Sequence, residues 1–167
     1  MTIETLLSPG RWNVDTNAST ATFSARGVWG ALPVSGGFSS LTGSVAFEPD
    51  GRCVGELVVP TPSLNTGLKL RDRHLKSADF FDVERYPEMR FTVEALTSDG
   101  LRGRLAVRDR SKTLTLPVTV RHLDADRVEV TAETEFERAE LGVGKSPLGT
   151  IRGAAAVRVR VVLERDR

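Results

Sequence analysis

Apolar and polar residues alternate with period two along most of the chain, and each such run predicts a half-buried β-strand. Ala21, Phe23 and Ala25 share one face of STATFSAR, with Thr20, Thr22, Ser24 and Arg26 on the other. The same rule groups Trp12 with Val14, Gly43 with Val45 and Phe47, and Leu101 with Gly103, Leu105 and Val107. It continues through Leu114, Leu116, Val118 and Val120, then Val128, Val130 and Ala132, and finally Val157, Val159, Val161 and Leu163. Turn residues separate the runs: Pro49-Asp50-Gly51, Ser98-Asp99-Gly100, Asp109 to Lys112, and Asp124-Ala125-Asp126. Hairpin punctuation about every eight to twelve residues predicts an antiparallel sandwich or barrel. The stretch VWGALPVSGGF, with Gly30, Pro33, Gly36 and Gly37, reads as a strand that bends.

One block, Leu64 to Phe91, breaks the alternation. Pro60 and Pro62 stop the preceding strand, and Thr66-Gly67 leads into the one helical stretch, where Leu68, Arg71, Asp72 and Leu75 fall at i, i+3, i+4 and i+7. Asp72 and Lys76 form an i, i+4 pair expected to contribute about 0.2 to 0.5 kcal/mol. Ser77 is placed to cap a further short turn through Asp79-Phe80-Phe81-Asp82, and Pro87 holds Tyr86 extended. Adjacent aromatics cannot both face inward by periodicity. One of Phe80 and Phe81 is therefore expected to plug the interior while the other packs elsewhere or lines a cavity, ordinary core packing being the competing use. Near the C-terminus, RAELGVGKSPLGTIRG predicts a long hairpin end or a flap over one mouth of the structure.

Composition narrows the class. At 167 residues and 18.2 kDa the chain fits one domain, read as residues 11–167 behind a mobile tail of residues 1–10. Lys plus Arg number 23 against 22 Asp plus Glu with the signs interspersed, so no basic run invites nucleic acid. The single cysteine, Cys53, permits no internal disulfide and requires no oxidising compartment. The N-terminus has neither a basic leader nor an apolar run of secretory length, and no stretch is long and apolar enough to span a bilayer as a helix. A cytoplasmic protein is the expectation, with a homodimer as the default oligomer.

Motifs for chemistry are sparse. GVGKSPLG lacks P-loop spacing, since Gly142 and Gly144 are two apart and Pro147 follows. His74 and His122 are the two histidines, too few for most zinc sites, so neither a metal nor a cofactor is expected. There is no GxSxG elbow for a nucleophilic serine. His74, within RDRHLKS, has two readings: a helix-surface histidine, or an acid/base beside Asp72 or Asp79. The charges Arg71, Asp72, Arg73, His74 and Lys76 read first as a solvated face.

Taken together, RWNVDTNASTATFSAR, TGLKLRDRHLKSADFFDVERYPEMRF, GRLAVRDRSKTLTLPVTV and RAELGVG resemble the YceI-like family of polyisoprenoid-binding proteins over about residues 11 to 163. The resemblance implies an all-β fold: an extended antiparallel lipocalin-like β-barrel of about eight strands, with a short helical insertion and an elongated apolar cavity for an isoprenoid chain. Barrels of that size hold one small ligand. Family members commonly carry a histidine soon after the first aspartate and another after the arginine of the second strand; Ala18 and Gly27 stand in those places here.

The leading expectation is thus a lipid-binding barrel that carries or sequesters an isoprenoid or quinone-like lipid without transforming it. Its candidate contacts to the apolar chain are Phe23, Trp29, Phe38, Phe47, Phe80, Phe81, Phe91, Leu105, Leu116, Val130 and Leu141. Arg26, Arg71, His74 and Arg138 are the candidates for a polar head group at the mouth. Two alternatives remain open from the residues alone: an enzyme using His74 on a small apolar substrate, and a packed barrel that serves as an interaction module.

Overall fold

The computed structural model describes residues 8–26, 33–50, 52–137, 145–146, 149–150 and 154–166. The expected mobile tail falls largely on residues 1–7, outside the described residues. The strands are β1 (Gly10–Val14), β2 (Thr20–Arg26), β3 (Pro33–Phe38), β4 (Thr42–Phe47), β5 (Cys53–Pro60), β6 (Glu88–Thr97) and β7 (Gly100–Val107). They continue with β8 (Arg110–Leu116), β9 (Val118–Asp124), β10 (Arg127–Glu137), β11 (Lys145–Ser146), β12 (Gly149–Thr150) and β13 (Ala154–Arg165). A 3-10 turn, Thr61–Ser63, and one helix, α1 (Lys69–Leu75), lie between β5 and β6.

Every pairing is antiparallel, and eleven strands join one curled sheet, with β11 and β12 forming a separate hairpin. Eleven is more than the eight or so expected, and the excess has a simple origin: three runs of chain are each interrupted once. β1 and β2 both pair with β13, β3 and β4 pair with β2 and β1 respectively, and Pro117 alone separates β8 from β9. Counted as continuous runs the wall has eight. Proline has no N–H to give to a ladder, and at Pro117 the chain changes partners, from β7 before it to β10 after it. That exchange closes the circuit, because β10 pairs with β13 and β13 with β1.

The interruption in the first run is tied to the wall rather than left loose. Asp15 N–H donates to the Val162 carbonyl at 2.8 Å, and Val162 N–H donates to the buried Ser19 hydroxyl at 3.0 Å. Both backbone groups of Val162 are thereby satisfied where a ladder partner is missing.

One end of the barrel carries the Glu48 N–H to Arg52 carbonyl hydrogen bond and the tight turns at residues 98–99 and 125–126, and is filled with side chains. Trp12, Cys53 and Val128 are buried there, and Trp12 donates its indole N–H to the Ser8 carbonyl at 3.0 Å beneath the Arg165 guanidinium, 4.8 Å from the ring centroid. At the opposite end β2 and β3, β5 and β6, and β10 and β13 end where the longer connections leave, including the helical insertion of residues 61–87.

Candidate functional site

The insertion is fastened to the barrel at several points. Gly37 and Asn65 exchange backbone hydrogen bonds of 2.9 Å each, which pins the free edge of β3. A side chain at Gly36 would not fit, since its Cβ would lie 2.6 Å from the Thr66 methyl and 2.8 Å from the Asn65 carbonyl oxygen. Buried Thr61 donates its hydroxyl to the Tyr86 carbonyl at 2.7 Å and its N–H to that of Pro87 at 2.9 Å. Arg108, in the turn after β7, donates to the Phe80 carbonyl at 2.9 Å and stacks its guanidinium over Tyr86.

Inside α1 the polar residues do not form the expected pairs. Asp72 accepts from the Thr66 N–H at 2.8 Å and from the Thr66 hydroxyl at 2.5 Å, instead of pairing with Lys76. Arg71 joins the same cluster, donating to the Thr66 hydroxyl and carbonyl at 2.8 Å each. Two donors close by outbid one flexible, solvated ammonium. Arg71 and Asp72 are thus drawn out of the solvated face expected for the whole set, whereas Arg73 and His74 remain exposed. Ser77 also departs from expectation, donating its hydroxyl back to the His74 carbonyl at the helix end rather than capping the next turn. Leu68, placed on the apolar stripe by spacing, is exposed because it precedes the helix as its N-cap.

A cavity of about 450 Å³ runs along the barrel interior, from Leu75, Phe80 and Phe81 of the insertion to Val14, Phe47 and Leu163 deeper in. That size falls within the about 300–1,000 Å³ usual for small-molecule sites. Its lining is almost wholly apolar and comes mostly from the inward phase of the strands, with Thr22, Ser44 and the Glu56–Arg90 ion pair bordering it from the other phase. Leu114, Leu116, Val118 and Val120 all line it, so the alternation passes through Pro117 unbroken. At Gly103, also on the inward phase, a Cβ would sit 2.7 Å from the Phe91 ring, which occupies that space instead. His74, on the insertion, is exposed and borders the cavity, as do the exposed Thr22 and Arg90 on the wall.

Phe23, Phe38, Phe47, Phe80, Phe81, Phe91, Leu105, Leu116 and Val130 all border this cavity, as do Arg71 and His74. Phe80 and Phe81 both border it, one of the arrangements that their adjacency left open, because a turn rather than a strand carries them. Phe81 packs edge-on to Phe38 at 5.4 Å between centroids, Phe38 lies 5.8 Å from Phe23, and Phe80 packs edge-on to His74 at 5.0 Å. Arg26 ends β2 at the mouth; Trp29, Arg138 and Leu141, like Gly27, lie outside the described residues. Phe136, Met89, Leu57, Val120 and Val159 also line the cavity and were not among the candidates, although the same alternating phase marks them.

His74 has no ion pair with a carboxylate among the described residues, and Asp72, one of its two candidate partners, is committed to Thr66. Among the described residues no group of three or more His, Cys, Asp or Glu is placed to hold a metal ion, and no helix is long and apolar enough to cross a membrane.

A family model for the YceI-like domain matches residues 12–164. The protein YceI of Escherichia coli O157:H7 is 30% identical over 87 residues, 48% of this chain and 46% of that protein. The UPF0312 protein plu2095 of Photorhabdus laumondii is 33% identical over 67 residues, 39% of this chain and 35% of that protein. These matches thus span about half the length or less of the curated relatives. Among solved structures, BcnA of Burkholderia cenocepacia superposes with a TM-score of 0.77 at 20% identity, covering 89% of this chain and 98% of that one. A polyisoprenoid binding domain from Saccharophagus degradans, implicated in plant cell wall breakdown, superposes with a TM-score of 0.74 at 17% identity, covering 95% of this chain and 100% of that one. At those identities the likeness is one of fold.

Proposed function

The chain belongs to the YceI-like family, and from that premise we propose that it binds an isoprenoid or quinone-like lipid in its barrel and carries or sequesters it without chemical turnover. The observation that supports this reading is the elongated cavity of about 450 Å³ with its almost wholly apolar lining. A hollow interior favours a carrier over a packed interaction module, whose inward side chains would fill that space.

The chemistry suits a chain-like guest. Each buried methylene contributes about 0.8 kcal/mol, so affinity grows with chain length rather than with directional contacts. A polar head drawn inside without a partner costs about 1 to 3 kcal/mol, which keeps it at the rim. His74 borders that rim, and Arg71, although held by Thr66, retains donors to offer there.

Native mass spectrometry of protein purified without detergent, followed by titration with farnesol and a short-chain ubiquinone, tests the reading. A co-purifying prenyl lipid, or saturable binding that tightens with chain length, is the expected result. Neither retained lipid nor binding would overturn it. His74→Ala is expected to leave the bound lipid chemically unchanged, and a product formed by the wild type but not by this variant would establish an enzyme instead.

A further inference from the structure

Four large hydrophobic residues are exposed among the described residues: Val54, Leu68, Leu70 and Leu123. Val54 and Leu123 stand singly on the barrel wall, which is ordinary for a protein surface. Leu68 and Leu70 differ, because they sit two residues apart on the insertion, 57% and 79% exposed. Lys69 lies between them, and Arg73 follows one helical turn later on the same side of α1, also exposed. Neither cation is paired with a carboxylate among the described residues, and the one acidic residue within α1, Asp72, faces Thr66. Asp79, Asp82 and Glu84 come only after the helix has ended.

We propose that this exposed stretch, Leu68 just before α1 with Lys69, Leu70 and Arg73 on it, docks the barrel on an anionic phospholipid surface. Exposed leucines flanked by long cationic side chains suit the bilayer interface, where the leucines enter the acyl boundary and the cations meet phosphates. The opposite side of the same short helix carries Arg71 and Leu75, which border the cavity. Docking through α1 therefore brings the cavity to within one helix of the bilayer from which a lipid would be taken or to which it would be returned. This purpose rests on the carrier reading above; the contact itself does not. Charge decides for a lipid surface over a protein groove, since unpaired cations beside the leucines are costly to bury in an apolar protein interface but are satisfied by lipid phosphates.

Flotation of the full chain with vesicles tests the proposal. At low salt the protein is expected to float with vesicles of mixed phosphatidylglycerol and phosphatidylcholine, and weakly or not at all with phosphatidylcholine alone. Leu68→Ser/Leu70→Ser and, separately, Lys69→Glu/Arg73→Glu are each expected to weaken that association on the order of tenfold or more. Farnesol titration in the absence of vesicles is expected to be unchanged in both variants, whose side chains do not border the cavity. A wild type that fails to float with anionic vesicles, or variants that float as it does, would overturn the proposal, as would a patch that holds a protein and leaves the vesicles bare. Lost vesicle binding with intact farnesol binding refutes the docking face alone. Lost farnesol binding with intact flotation refutes the carrier reading alone.

Discussion

Cys53 pairs across the ladder with Phe47 at the packed end of the barrel and has no exposed surface. Burial pushes its thiol up from 9.0 to about 12, since a thiolate there would lose its hydration. The folded value lies above the unfolded one, so the contribution to stability is complete below pH 9 and is lost as the pH climbs toward 12. The loss runs at about 1.4 kcal/mol per pH unit within that window. Denaturant titrations of wild type and Cys53→Ala at pH 8 and pH 10.5 are expected to converge: the variant is the less stable at pH 8, because of the space it leaves, and the difference narrows at high pH. A constant difference would show that the thiol does not titrate as described. Glu129 shows the converse arrangement on the outer wall. Burial works to raise its carboxyl, but Arg160 at 2.7 Å and Arg121 at 3.3 Å outweigh that and hold it below the usual range.

The strands were legible element by element because alternation is a local property. The phase of Leu114 to Val120 is written in consecutive residues and survives even a proline. The insertion was legible only as an interruption, because its bonds join residues far apart in sequence: Thr61 with Tyr86, Gly37 with Asn65, Arg108 with Phe80. Asp72 is the sharpest case, since spacing favours Lys76 and only the folded loop brings both donors of Thr66 to the carboxylate. Removing that acceptor is therefore expected to loosen the whole element. Asp72→Ala leaves the Thr66 N–H and hydroxyl unpaired at a cost of about 1 to 3 kcal/mol, with Asp72→Asn intermediate because its amide oxygen can still accept both bonds but without the charge that strengthens them. Thermal unfolding is expected to report that order, and farnesol release followed by stopped flow is expected to be faster in Asp72→Ala. Equal release rates in all three proteins would mean that the insertion does not control exit.

At the scale of the molecule, the spacing of turns left a sandwich or a barrel open; the barrel and its cavity were expectations of the family resemblance, and alternation alone decided neither. Leu and Val on inward faces are compatible with a hollow or a filled interior, and the outcome depends on the curvature of the wall. Val159 illustrates the point: its ladder neighbours are Ala132 on one side and Ala21 on the other, a patch of small residues that leaves room inside. Phenylalanine at this position has space to extend into the cavity. Val159→Phe is expected to keep or raise the melting temperature and to displace roughly four methylenes of a bound chain, about 3 kcal/mol or on the order of a hundredfold in affinity. Unchanged farnesol affinity in a folded Val159→Phe protein would place the ligand elsewhere.

The meeting of β1 with β13 also governs the order of events in time. Trp12 finds Arg165, and Val14 finds Leu163, only after nearly the whole chain has been gathered, and entropy opposes the joining of such distant segments. The hairpins from β4 through β8 join near neighbours and can assemble first. The hollow comes into being only when the last seam shuts, so a lipid has nothing to hold on to during the ascent to the folding barrier. Its presence is expected to leave the rate of folding unchanged and to act on the return journey, by slowing the opening of a barrel already filled.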